Sequence, residues 1–428
     1  MRTLGIVEQA FASAHADVNG AAMPCFVLHL NGPIHFERLE QAFLDTQAHY
    51  WTLGQTISRQ GGHWRFAPSD HRICGRLVLR ENEDTWQSVA EHELNRPIKP
   101  DSEALMRFTL LSPAAGEPLN HDLIITTHHA IIDGISFLDL VETMLAAYAG
   151  QPRNRAQSST APSPPAESLS PVPRGLLKRW LTLLLLSMGE MWKHMRWPPE
   201  PVTIAKGDMY RTSTKVISRE LPNDLHQAIK SEGRRHDSSF SGALVASSAQ
   251  AVHETLYPHS RRSMRTSFAV NLRDSLNDPS HAKTFACYVG GIITLIPRIN
   301  TICWSASSRI TKMLRHALRE KQPWFALPFL KLNSFFMINA PQVSAAAAHI
   351  SNLGSQKIET YSDTLRVQGH RTLLAASGVG RSAIVNCNTY PSCSYITLTY
   401  SKLHVSEAEA EAMVMRLIDN LHQLAQSP

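Results

Sequence analysis

Two adjacent histidines followed at fixed distance by an aspartate and a glycine are the residues of this chain best suited to chemistry: His128-His129-Ala130-Ile131-Ile132-Asp133-Gly134. An imidazole titrates near neutral pH, so either ring could take a proton from a hydroxyl or amine nucleophile. The elements that must position them are legible on either side. Leu123, Ile124, Ile125, Thr126 and Thr127 are apolar or β-branched without Pro or Gly, which predicts a strand buried on both faces and ending near His129. Beyond Asp133-Gly134 the apolar spacing becomes helical, with Leu138, Val141, Leu145 and Tyr148 on one stripe and Gly150 as the stop. Ser136 with Asp139 resembles a capping box for that helix. Successive strand side chains point to opposite faces, so His128 and His129 cannot both reach one site. That argues against a metal pair and for one ring facing a cavity while the other packs behind it. Asp133 lies past the turn and reads as structural, while Gly134 offers close backbone approach or a positive φ. The alternative is a buried histidine pair beside an ordinary Asp-Gly turn.

The same seven residues resemble the HHxxxDG motif of the CoA-dependent acyltransferase superfamily. That superfamily holds chloramphenicol acetyltransferase, condensation domains of nonribosomal peptide synthetases, polyketide-associated acyltransferases, wax ester synthases and the plant BAHD enzymes. The resemblance implies that His129 is the catalytic base, that His128 and Gly134 are structural, and that Asp133 pairs with an arginine to fix the turn. It implies an α/β fold of two chloramphenicol-acetyltransferase-like subdomains forming a V-shaped pseudo-dimer with a tunnel between them. No bound cofactor and no metal are expected; acyl-CoA or a phosphopantetheine thioester is the co-substrate.

A chain of 428 residues, 43% hydrophobic and 18% charged, buries a large core and exceeds one compact domain. Two domains are therefore expected, residues 1–150 and 174–428, joined by 151–173. This joining stretch is rich in Ser, Pro, Ala and Gln, with almost no large apolar residue. A net charge of +6 without a concentrated basic stripe disfavours nucleic acid and suits an acidic partner, CoA or an acyl or peptidyl carrier protein. Six scattered cysteines without a CxxC pair read as reduced thiols, and Glu8 interrupts what would have to be the apolar core of a secretory signal. A cytoplasmic monomer is the expectation.

In the first half the pattern predicts helices over 5–15, 36–49 and 86–94 and strands over 25–30, 64–67, 76–79 and 105–111. Where the superfamily carries an HPxLR-like run, this chain has His49-Tyr50-Trp51-Thr52-Leu53. The stretch 174–197 is the most apolar of the chain, yet its uninterrupted part falls far short of the ~18 residues of a membrane span. Three placements stay open: core helix, lid over an acyl channel, or interfacial helix with Trp180, Trp192 and Trp197 as anchors and Lys178, Arg179 and Lys193 toward headgroups.

The second half predicts strands over 212–221, 264–272 and 290–299 and helices over 223–231, 240–256, 305–321 and 404–426. Val270-Asn271-Leu272-Arg273, followed by Tyr288-Val289-Gly290-Gly291, resembles the family's NLR element, which offers Arg273 as the partner of Asp133 or as a wall residue. Ile350-Ser351-Asn352-Leu353-Gly354 resembles the SNLG stretch near the tunnel, which makes Ser351 or Asn352 a candidate oxyanion donor and Asn271 a candidate lining residue. An ordinary Ser-Asn-Gly turn is the alternative. The plant-type DFGWG element is missing; Val385-Asn386-Cys387-Asn388-Thr389-Tyr390 stands there instead. Arg234-Arg235, Arg261-Arg262 with Arg265, and Lys178-Arg179 are the clusters that could receive a charged donor.

These readings converge on acyl transfer from a thioester to a hydroxyl, with His129 as base. A free-standing condensation enzyme forming an amide and a non-catalytic carrier-docking module are the competing readings.

Overall fold

Runs of β-branched residues and amphipathic helices alternate through the chain, and each half closes an apolar sheet face with its own helices. The computed structural model describes residues 2–427 apart from 82–84, 115, 152–160, 173–180, 182–183, 185–187, 190, 206, 331–338, 341–344, 360, 362–363 and 392. The first half runs β1 (Arg2–Thr3), α1 (Ile6–Asp17), β2 (Pro24–Asn31), α2 (Phe36–His49), β3 (Gln55–Gln60), β4 (His63–Pro68), β5 (Cys74–Leu79), α3 (Trp86–Leu94), β6 (Met106–Ser112), β7 (Asn120–Thr127) and α4 (Gly134–Tyr148). The second runs β8 (Thr214–Leu221), α5 (Asn223–Arg235), α6 (Phe240–Leu256), β9 (Met264–Asn271), β10 (Val289–Ile296), α7 (Trp304–Arg319), α8 (Gln322–Ala326), β11 (Ala348–Ser355), β12 (Arg366–Leu374), β13 (Ala383–Thr389), β14 (Ser394–Ser401) and α9 (Glu407–Gln426).

The strands make a three-stranded ribbon β1-β4-β3, a five-stranded sheet β12-β2-β7-β6-β5 and a six-stranded sheet β10-β9-β11-β13-β14-β8. The five-stranded sheet packs Phe26, Leu28, Leu123 and Ile125 against Leu39 and Phe43 of α2 and Phe137, Leu140 and Val141 of α4. The six-stranded sheet packs Phe268, Val270, Ile350 and Val385 against α6, α7 and α9. Helix α6 is apolar nearly all round, and as that pattern demands it is buried between the sheet and its neighbours.

Several expectations need correction. The division of the chain at 150 and 174 is not kept by the sheets, because β12 leaves the second half and pairs antiparallel with β2 of the first. An unpartnered β2 edge would expose a row of N–H and C=O groups, and β12 covers it. Phe285 also crosses, entering the first half's core beside Tyr50 at 4.1 Å between ring centroids. The joining stretch is not a free linker over its later part: Ala166 and Leu169 are buried, Tyr288 Oη donates to the Pro164 carbonyl, and the Asn277 amide donates to that of Leu169. Strands β1, β3, β12, β13 and β14 escape the sequence pattern, and the run for which a Ser-Asn-Gly turn is the alternative reading is strand β11. Within 174–197, residues 174–180, 182–183, 185–187 and 190 lie outside the described residues. The rest form helix whose apolar side chains are exposed, so core packing does not hold for them. Among the described residues no helix is long and apolar enough to cross a membrane.

Candidate active site

Strand β7 ends at Thr127, and the chain then takes one extended residue, His128, before a 3-10 turn over His129–Ile131. The two rings diverge because that turn begins between them, not because of strand alternation. Asp133 is the N-cap of α4: its Oδ1 accepts from the amides of Ile135 (3.1 Å) and Ser136 (2.9 Å). Asp133, and not the expected Ser136 and Asp139 pair, is therefore the cap. Its Oδ2 accepts from Arg273 Nη1 at 2.5 Å and from the Tyr288 amide at 2.7 Å, so both oxygens are doubly engaged. Ser136 Oγ is instead a bridge. It donates to the Ala286 carbonyl (2.8 Å) and accepts from the Ala286 amide (3.0 Å) and from Arg273 Nη2 (2.8 Å). Arg273 Nη2 also donates to the carbonyls of Ala286 (2.9 Å) and Thr284 (3.2 Å). The whole cluster is buried and ties the start of α4 to the end of β9.

His128 is fully buried. Its Nδ1 accepts from the Ala130 amide at 3.2 Å, and its ring lies 4.5 Å from that of His15. Burial holds its pKa well below the ordinary histidine range, with the neighbouring His15 and His129 adding to the fall. It is a neutral packing residue. His129 is only partly buried. Phe11 of α1 stacks on its ring at 3.8 Å and 14°. Its Nδ1 lies 2.8 Å from the Ile132 carbonyl, which can only accept, so Nδ1 carries the hydrogen and Nε2 keeps its lone pair. Burial lowers its pKa, partly offset by its carbonyl partners and the Asp133 charge. Cys287 Sγ stands 3.8 Å from the same Nδ1. Burial first, then the charges of Asp133 and Glu8, push this thiol well above its ordinary range, which keeps it protonated and a poor nucleophile.

The second-half motifs divide. Strand β11 runs parallel beside β9 only as far as Ile350 paired with Phe268, then parts from it, while it stays paired with β13 through Asn352. At the parting, Leu353 fills the space a side chain on Gly134 would need: a Cβ there would meet Leu353 Cδ2 at 2.3 Å. A side chain at 134 would require the end of Leu353 to shift, and Gly134 has no positive φ. Ser351 and Leu353 alternate with Ile350, which packs on the helix side, and so share the opposite side of the strand. Asn352 points the other way, donating to Ser241 Oγ at 3.1 Å and accepting from the Gly354 amide. Asn271 caps the turn into Arg273, accepting that residue's amide and donating to Asp274.

Of the basic clusters, Arg234 and Arg235 are exposed, and Arg235 pairs with Glu232 within its own helix. Arg261 and Arg262 are exposed, Arg265 is buried against His194, and Lys178 and Arg179 lie outside the described residues. In the run His49–Leu53, Tyr50 Oη donates to Asp139 Oδ2 at 2.7 Å and braces α4. Among the described residues no group of three or more His, Cys, Asp or Glu is spaced to hold a metal ion. Two open surface cavities, of about 400 and 360 Å³, contain no motif residue. Sequence reasoning offers neither Phe11 nor Cys287 as a site residue, and it reads Ser136 only as part of a cap and Leu353 only within the SNLG-like run. Phe11 and Cys287 carry no local signal, since only folding brings them to His129.

No protein-family model and no curated protein sequence matches this chain. Solved structures do. Trichothecene 15-O-acetyltransferase from Fusarium sporotrichioides aligns with a TM-score of 0.77 at 11% identity, over 98% of this chain and 94% of that one. Polyketide synthase associated protein 5 from Mycobacterium tuberculosis aligns at 0.64 and 18%, over 98% and 97%. The first condensation domain of the CDA synthetase aligns at 0.69 and 13%, over 100% and 97%. At such identities the likeness is one of fold.

Proposed function

On the fold of the CoA-dependent acyltransferases and condensation domains, which this chain has along nearly its whole length, we propose that it moves an acyl group from a thioester to a hydroxyl acceptor. The donor is acyl-CoA or an acyl group on a carrier protein's phosphopantetheine arm, and the setting is secondary-metabolite or lipid biosynthesis. One observation carries the reading. The Ile132 carbonyl fixes the tautomer of His129 so that Nε2 is an unprotonated base on a partly exposed ring.

The acceptor O–H gives its proton to Nε2 as its oxygen bonds to the thioester carbonyl carbon, and the carbonyl π electrons move onto oxygen. The tetrahedral intermediate then collapses: the C–S bond breaks, and the leaving thiolate takes the proton back from Nε2. Phe11 holds the ring plane and excludes water from one face. Asp133 and Arg273 do no proton transfer; they fix the turn from which His129 projects. Ser351, on the same side of β11 as Leu353, is the candidate donor to the oxyanion, whereas Asn352 is engaged with Ser241.

A hydroxyl is favoured over an amine because the highest-scoring of the three alignments above is to an O-acetyltransferase. An amine acceptor, as in condensation, would use the same base. A docking module without catalysis would have no need of a tautomer-fixed imidazole. The test is release of free thiol from acetyl-CoA, longer acyl-CoAs and acylated carrier protein, with alcohol or amine acceptors, comparing wild type with His129→Ala. Undiminished turnover in the variant removes the reading, and the donor and acceptor that react settle the two open choices.

A further inference from the structure

The described helical residues between 181 and 196 reverse the usual arrangement of a surface helix. Leu181, Leu184, Met188, Met191, Trp192 and Met195 follow the 3- and 4-residue spacing of one helix face. All six are between 52% and 70% exposed, and none joins the apolar clusters of either half. The helix is held down by polar contacts instead. His194 Nε2 accepts from Arg265 Nη2 at 2.5 Å, Ser263 Oγ donates to the Trp197 carbonyl at 2.9 Å, and the Ser263 amide donates to the Pro198 carbonyl at 3.1 Å. A contiguous apolar face pinned outward in this way marks a contact surface.

The charges around the face identify its partner. The described end of the helix, residues 191–197, carries Lys193 and Arg196 with no acid, and it contains two tryptophans. Trp192 and Trp197 are exposed at the C-terminal end, where their rings meet edge to face at 5.8 Å. The loop that anchors this end adds exposed Arg261 and Arg262. An apolar stripe flanked by cations and aromatic rings is complementary to the interface of an anionic bilayer, in which the stripe enters the acyl boundary and the cations meet lipid phosphates. We propose that this helix docks the protein on an anionic lipid surface, in the plane of the membrane and without crossing it. The inference is independent of the acyl-transfer reading.

The test is sedimentation of the full-length protein with vesicles of phosphatidylcholine alone or with a third phosphatidylglycerol, at low and high salt. Wild type is expected to pellet with the anionic vesicles, less so at high salt. Met188→Glu, Met191→Glu and Met195→Glu together should weaken the partition by about tenfold or more, since they remove buried apolar area and add charge repulsion. These side chains are exposed, so the melting temperature and turnover on a soluble acceptor should not move. Arg261→Glu with Arg262→Glu should give a smaller, salt-sensitive loss and serves if the triple variant is unstable. The proposal is overturned if wild type stays in the supernatant with both vesicles or if the triple variant pellets as well as wild type. It is likewise overturned if the variant only converts a dimer to a monomer, which would make the face an interface between two copies.

Discussion

Four residues separate His129 from Asp133, and their surroundings differ in kind. The carboxylate is buried, with each oxygen accepting two hydrogen bonds, one of them from a buried arginine that is itself bonded to Ser136 and two carbonyls. The imidazole is partly exposed, stacked on one side, and bonded through Nδ1 alone among the described residues. A group whose hydrogen-bonding capacity is exhausted can hold geometry but cannot exchange a proton; a group with one open lone pair can. On the proposed reading the motif joins a closed anchor to an open base, and substitutions on the two sides should fail differently.

The largest expected effect is on the open side. His129→Ala should lower kcat/KM by about 10²–10⁴-fold, the usual worth of a general base, with little change in melting temperature. A parallel loss of stability would mean the ring is packing and not chemistry. On the closed side, Arg273→Ala leaves the Asp133 charge buried without its partner and should cost about 3–5 kcal/mol of stability, read by denaturant unfolding. A cost under about 1 kcal/mol, as for a surface pair, would contradict the anchor role.

Gly134→Ala tests where the two halves meet. Overpacking against Leu353 should cost about 1–3 kcal/mol, and Leu353→Ala in the same chain should recover part of it; additive losses would show that the two residues do not touch. The pH profile separates His129 from Cys287. With the histidine pKa lowered by burial, the base is neutral through the neutral range, so kcat/KM should be level there. It should fall only on acidification below the ordinary histidine value of 6.5, as Nε2 becomes protonated. A thiolate nucleophile, its pKa raised by burial, would instead make the rate climb into the alkaline range. The smallest effect is expected from Cys287→Ala, which should keep turnover within an order of magnitude of wild type.

Where composition and period agreed, the sequence reading located elements closely, as for the helices Phe36–His49, Trp86–Leu94 and Phe240–Leu256. It failed where burial does not follow polarity. In β13 and β14, Asn386, Asn388, Thr397 and Thr399 are as buried as their apolar neighbours, so neither alternation nor an apolar run marks these strands. In β12, Arg366, Gln368 and Arg371 interrupt the pattern because the strand is an edge whose partner, β2, lies more than 300 residues earlier.

By itself the sequence determined the motif, the strand and helix that flank it, and the residue types able to transfer a proton, because these depend on side-chain chemistry and on spacing within a few residues. Only the tertiary structure decided which imidazole is open, which arginine holds Asp133, what a side chain at position 134 would meet and what Phe11 and Cys287 touch. Each of these is a contact between residues some 120 to 220 positions apart, and local spacing carries no record of such distances.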